Sequence, residues 1–74
     1  MSVRSNGPEI RRRRLLRGVS LTEFARQMNY SLNHASQVEL GNNNAGPEFV
    51  SKAAALLGCT TEDLMTEDAE AGAA

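Results

Sequence analysis

Residues 20–41 read SLTEFARQMNYSLNHASQVELG. Two short helical patterns lie in this stretch, each opened by a serine. Ser20 can accept a hydrogen bond from the amide of Glu23, and Glu23 can reach back to the amide of Ser20, a capping box. Leu21, Phe24, Ala25 and Met28 then recur at three- and four-residue intervals, the spacing of a core-facing stripe. Asn29-Tyr30 makes a turn, and asparagine tolerates the left-handed backbone such a turn requires. Ser31 opens the second pattern, in which Ala35 and Val38 point inward. It closes at Gly41, where a left-handed stop is needed. Helices this short bury little against each other unless they cross steeply.

A steep crossing after a tight turn is the helix-turn-helix arrangement, whose second helix is shaped to enter the major groove of DNA. Working outward, Gly7-Pro8-Glu9 reads as the start of a preceding helix, with proline in the first turn and an acid near the positive end of the dipole. This helix is expected to run to about Arg17 and stop at Gly18. Its stripe is untidy: Ile10 and Arg14 share a face with Arg17, whereas Leu15 and Leu16 point elsewhere. Asn42-Asn43-Asn44-Ala45-Gly46 is a polar loop. Pro47 and Glu48 repeat the start signal for a helix to Leu57, with Val50, Ala53, Ala54 and Leu57 inward and Gly58 at its end. Thr60-Thr61-Glu62-Asp63 opens a last short turn whose Leu64 and Met65 close the core. No strand pattern is visible. The chain thus divides into a flexible arm at 1–6, a helix-turn-helix domain at 7–66, and an acidic tail at 67–74 expected to be disordered.

Seventy-four residues make one small domain. A single cysteine, Cys59, allows no internal disulfide, and with His34 alone it cannot assemble a zinc site. No apolar run approaches the roughly 18 to 20 residues of a membrane helix, and the N-terminus lacks a signal-peptide segment, so a cytoplasmic protein with no membrane partner is expected. The net charge of −1 conceals a partition. Residues 1–60 carry eight basic side chains against four acidic ones, a net of +4, while residues 61–74 carry five acidic side chains and no basic one. A basic body can attract phosphate, and an acidic tail can compete with DNA for that body.

The pattern resembles the lambda-repressor/Cro-like helix-turn-helix family, also called the XRE family. The residues that carry the resemblance are Gly18-Val19-Ser20, Glu23-Phe24-Ala25, Tyr30-Ser31, Val38-Glu39-Leu40-Gly41, and Ala54 through Leu57-Gly58 with Asp63-Leu64. The resemblance covers about residues 8–66 and implies an all-α, compact five-helix domain with the helix-turn-helix in helices 2 and 3. It also implies an ion pair between Arg14, late in the first helix, and Glu39. A carboxylate near a helix C-terminus is unfavourable without a cation, and the fork of arginine suits it.

By the same resemblance, the base-reading residues are Leu32, Asn33, Ser36 and Gln37. Asn33 and Gln37 lie four apart, and each can make the bidentate amide contact to adenine; Leu32 can pack on a thymine methyl. Candidate contacts to the DNA backbone are Arg11, Arg12, Ser20, Thr22, His34, Asn42, Asn43 and Asn44. The run Arg11 to Arg14 cannot form one patch, because four successive helical residues point around most of the axis. Three positions depart from the family habit: Leu21 stands where a glutamine is common, the loop after Gly41 offers asparagines in place of lysine or arginine, and Arg13 takes an apolar position.

These residues point to a sequence-specific DNA-binding regulator. It would be a small repressor of the Cro-like, controller or antitoxin type, a homodimer on a two-fold operator in double-stranded DNA, with Leu56, Leu64 and Met65 as candidate dimer contacts. The competing reading is a protein–protein interaction module on the same scaffold, engaging its partner through helix 3 or the acidic tail. One histidine, one cysteine and no phosphate-binding loop leave no catalytic constellation, and no cofactor or metal is expected.

Overall fold

The computed structural model describes residues 3–67. Its helices are α1 (Gly7–Leu16), α2 (Leu21–Met28), α3 (Leu32–Glu39) and α4 (Pro47–Leu57), followed by a single 3-10 turn at Glu62–Leu64. Side chains set the starts of α1, α2 and α3. The amide carbonyl of Asn6 accepts from the Glu9 N–H at 3.2 Å, Ser20 Oγ from Glu23 N–H at 3.1 Å, and Ser31 Oγ from His34 N–H at 3.1 Å. Each bond satisfies one of the orphan donors of a first turn, worth about 1 kcal/mol. The second half of the expected capping box at α2 does not form. Glu23 accepts instead from Arg26 and Gln27 along the outer face, because two strong donors lie within its own next turn. Asn29 takes the left-handed conformation, φ 64°, and Gly41 does so after α3, φ 83°.

Ile10 of α1, Phe24 and Met28 of α2, Ala35 and Val38 of α3, Phe49 and Val50 of α4, and Leu64 meet in one core. Burying a side chain of Val, Leu or Phe size contributes about 1.5–3 kcal/mol, so these few residues supply most of the drive to fold. Leu15 and Leu16 remain exposed, as the untidy stripe of α1 predicts.

The fold is all-α in its body, with four helices where five are expected. The fifth is only the 3-10 turn. Thr60 N–H donates to Asp63 Oδ2 at 3.1 Å and Asp63 N–H to Thr60 Oγ1 at 3.2 Å, which makes a good start, but Met65 at once turns extended, φ −123° and ψ 156°. It does so because it enters a strand. β1 (Val3–Ser5) and β2 (Met65–Glu67) pair antiparallel, with Val3 opposite Glu67 and Ser5 opposite Met65.

That ribbon corrects two expectations, the absence of strands and, over residues 3–6 of the arm expected at 1–6, the lack of attachment. Ser5 is buried: its N–H donates to Asn44 Oδ1 at 2.8 Å, and its Oγ accepts from Ala45 N–H at 2.9 Å. Asn6 N–H donates to the Leu64 carbonyl at 2.8 Å. The arm is therefore stitched to the loop after α3 and to the end of the chain's folded part. The tail expected at 67–74 begins inside β2 at Glu67, and residues 68–74 lie outside the described residues.

Candidate nucleic-acid interface

α3 presents two opposite surfaces. Ala35 and Val38 are fully buried and Glu39 faces α1, while Leu32 and Asn33 are exposed and Ser36 and Gln37 half-buried. At about 100° per residue, Leu32, Ser36, Asn33 and Gln37 fall in one arc on the side away from Ala35 and Val38. All four expected base-reading residues are thus brought together on one outward face. Three carry hydrogen-bonding groups and Leu32, 49% exposed, offers an apolar one.

The back of α3 is fixed by α1. Arg14 Nε donates to Glu39 Oε2 at 2.7 Å and its Nη2 to Glu39 Oε1 at 3.0 Å, the bidentate fork that the resemblance implies. Its remaining nitrogen, Nη1, donates to the Val19 carbonyl at 2.7 Å, tying the loop before α2 into the same knot. Both side chains are buried, so the attraction is little screened. Beside this pair, the first residue of α1 lies against the last carbonyls of α3. A Cβ on Gly7 would sit 2.3 Å from the Val38 oxygen and 2.6 Å from that of Glu39. Only glycine permits that approach. Nothing in the sequence marks Gly7 for this role beyond its place at a helix start.

The expected DNA-backbone residues divide. Ser20 and Thr22 are exposed at the start of α2, although Ser20 Oγ already caps the helix. Arg11 is exposed and lies about 60° around α1 from Arg14, on the side turned toward α3. Arg12 lies about 160° from Arg14 and pairs with Glu9 at 3.2 Å, an acid it shares with Arg13 at 2.7 Å. His34 has its ring stacked 5.2 Å from Tyr30 and edge-on 5.6 Å from Phe49, so its visible duty is to pack α3 on α4. Tyr30 itself donates to Glu48 at 3.1 Å; burial and that bond both raise its pKa above the ordinary phenolic value.

The three asparagines, alike in sequence, have three different settings. Asn42 Nδ2 donates to Gln37 Oε1 at 2.8 Å. Asn44 Oδ1 accepts from the N–H and hydroxyl of Ser5. Asn43 is exposed and makes no side-chain hydrogen bond among the described residues. Of the candidate dimer contacts, Leu64 is fully buried in the core and unavailable, while Leu56 and Met65 are partly buried against it. Among the described residues no group of three potential metal ligands exists, and no helix is long and apolar enough to cross a membrane.

A four-helix body whose third helix turns a polar face outward, clamped from behind by a buried arginine–glutamate fork, defines a helix-turn-helix DNA-binding domain of the kind found in transcription regulators. The helix-turn-helix family model matches residues 10–64, and the chain belongs to that family, the XRE class of helix-turn-helix proteins. Among solved structures, the clp gene regulator ClgR from Corynebacterium glutamicum superposes with a TM-score of 0.73 at 28% identity, covering 77% of this chain and 61% of that one. This chain therefore spans less than two thirds of that ClgR chain. SinR, the master biofilm regulator of Bacillus subtilis, solved in complex with DNA, gives 0.71 at 26% identity over 76% of this chain and 90% of that one. SinR in its complex with SinI gives 0.75 at 25% identity, covering 92% of this chain and 65% of that one. Comparison with curated proteins found no match.

Proposed function

We propose that this protein is a sequence-specific transcriptional repressor of the small Cro-like, controller or antitoxin kind, acting in the cytoplasm by binding and not by catalysis. The observation that carries this reading is the outward arc of Leu32, Asn33, Ser36 and Gln37 on a helix whose other side is immobilised. α3 enters the major groove and that arc meets base edges. The exposed start of α2, with Thr22, meets one flanking phosphate strand, and Arg11 and Asn43 supply further backbone contacts. One such helix covers about half a helical turn of groove, so the working species is a homodimer on a two-fold site.

A second reading, a protein-interaction module, is favoured by one feature: Leu32 stands half-exposed at the edge of the polar arc. SinR, solved with both DNA and SinI, lends it support. Binding to random-sequence duplex DNA at rising salt separates the two. The DNA reading expects measurable binding at low salt and a steep linear fall of log affinity with log salt. Absence of binding at low salt refutes it and favours the protein-interaction reading.

A further inference from the structure

Asn42 and Gln37 are joined twice. Gly41, with φ 83°, turns the chain back after α3, so that the Asn42 N–H donates to the Gln37 carbonyl at 3.0 Å and the Asn43 N–H to the same oxygen at 3.3 Å. The side chains then meet on the outside: Asn42 Nδ2 donates to Gln37 Oε1 at 2.8 Å. A glutamine amide reads adenine by using both its ends, the oxygen accepting from N6 and the nitrogen donating to N7. Here the oxygen is already occupied by a neighbour that the backbone holds in place. One lone pair of that oxygen is taken and the oxygen is drawn toward Asn42, which turns Nε2, a pure donor, to the side free to face a base.

We infer that Asn42 sets the polarity of Gln37, converting it from the adenine reader that its residue type suggests into a reader of acceptor edges. The matching bases are guanine, whose major-groove edge offers N7 and O6, and then thymine, which offers O4. Cytosine presents only an amino group there, and adenine sets its N6 amino group beside its single acceptor N7, whereas guanine offers acceptors at both places. Asn42 is thus a specificity-determining residue that touches no base itself. This inference rests on α3 reading DNA, and it adds the sign of one position of the site.

The polarity can be reversed by one atom. In Asn42→Asp the new carboxylate can only accept, so Gln37 must rotate its amide, donate Nε2 to that carboxylate, and present Oε1 outward. That reversed reader suits the amino groups of adenine and cytosine. Selection of bound sequences from random duplex DNA, with the full chain, tests this in three arms. In the wild-type protein one position of the enriched site should prefer guanine or thymine, and Gln37→Ala should flatten that position alone, which assigns it. Asn42→Asp should then turn the preference there to adenine or cytosine, by roughly fivefold or more, leaving the other positions as they were. The added negative charge lowers affinity overall but equally for every base, so the readout is the preference and not the strength.

A wild-type preference for adenine or cytosine at the assigned position overturns the inference. So does an Asn42→Asp site identical to the wild-type one, or an enriched site in which Gln37→Ala flattens nothing. Failure to enrich any sequence refutes the DNA reading itself, and the inference with it.

Discussion

Replacing Arg14 by alanine removes one side chain from three acceptors. Glu39 loses both bonds of the fork and the Val19 carbonyl loses its donor. The carboxylate left behind is 6% exposed and sits at the C-terminal end of α3, where the helix dipole already disfavours negative charge. Breaking a buried pair from one side costs about 3–5 kcal/mol, so the loss here is at least about 3 kcal/mol. A chain of this length has a total stability of about 4–11 kcal/mol. The variant should therefore lose about a quarter or more of it, and about 12–24 °C of Tm. Arg12→Ala is the control: that guanidinium is largely exposed, its partner Glu9 keeps Arg13, and the cost is about 0–1 kcal/mol. Urea unfolding followed by circular dichroism measures both. Arg14→Lys, which keeps the charge but not the fork, should fall between them. Replacing both partners, Arg14→Met with Glu39→Leu, should recover most of the loss, because no lone charge is left buried. If Arg14→Ala and Arg12→Ala agree within about 0.5 kcal/mol, the pair does not hold the fold and the reasoning fails.

Three further outcomes follow from the same geometry. Gly7→Ala drives a Cβ against two backbone oxygens that have no side-chain freedom to yield, so α1 must shift off α3 at a cost of about 1–3 kcal/mol; an unchanged urea midpoint would contradict the close approach. Ser5→Ala leaves the Ala45 N–H without its acceptor, costing about 1–2 kcal/mol, and hydrogen exchange at Ala45 should accelerate while exchange at Phe24 changes less. The hydrogen bonds from Thr60, backbone first, hold the Asp63 carboxyl below its ordinary pKa of 3.8. A depressed carboxylate pKa stabilises the fold above the unfolded value and loses that contribution as pH falls through the folded one. Asp63→Asn should accordingly flatten the decline of stability below about pH 4; an acid limb as steep as in the wild type would rule out the contribution.

The helix-turn-helix itself was legible because its signals are local. Ser20, Ser31, Asn29 and Gly41 each act within a few residues of where they stand, and the stripe of Phe24, Ala25 and Met28 needs no knowledge of what it packs on. The Arg14–Glu39 fork joins residues 25 apart in sequence, so spacing alone could not reveal it, and it became readable only through family resemblance. The ribbon is hidden in the sequence for the same reason carried further. Three residues are too few to display alternation, and the partners that order Val3–Ser5 come from the loop at Asn44 and from Met65–Glu67. The asparagine run shows the limit most clearly at the site. Asn42, Asn43 and Asn44 look interchangeable in sequence, yet one is bonded to Gln37, one is open, and one is bonded to Ser5.

The attachment of α3 is lopsided. Its C-terminal end is gripped by Gly7 against its final carbonyls, by the fork on Glu39, by Arg4 on the Gly41 carbonyl at 3.3 Å, and by the chain doubling back over Gln37. Its N-terminal end rests on a hydroxyl cap and the faces of Tyr30, His34 and Phe49. Mechanically it is a cantilever, rooted by polar and backbone contacts at the second turn and held by a cap and ring faces at the tip. On the proposed DNA reading, a helix held this way demands a more accurate fit at Ser36 and Gln37 than at Leu32 and Asn33. On that reading, base changes opposite the root should cost more affinity than base changes opposite the tip.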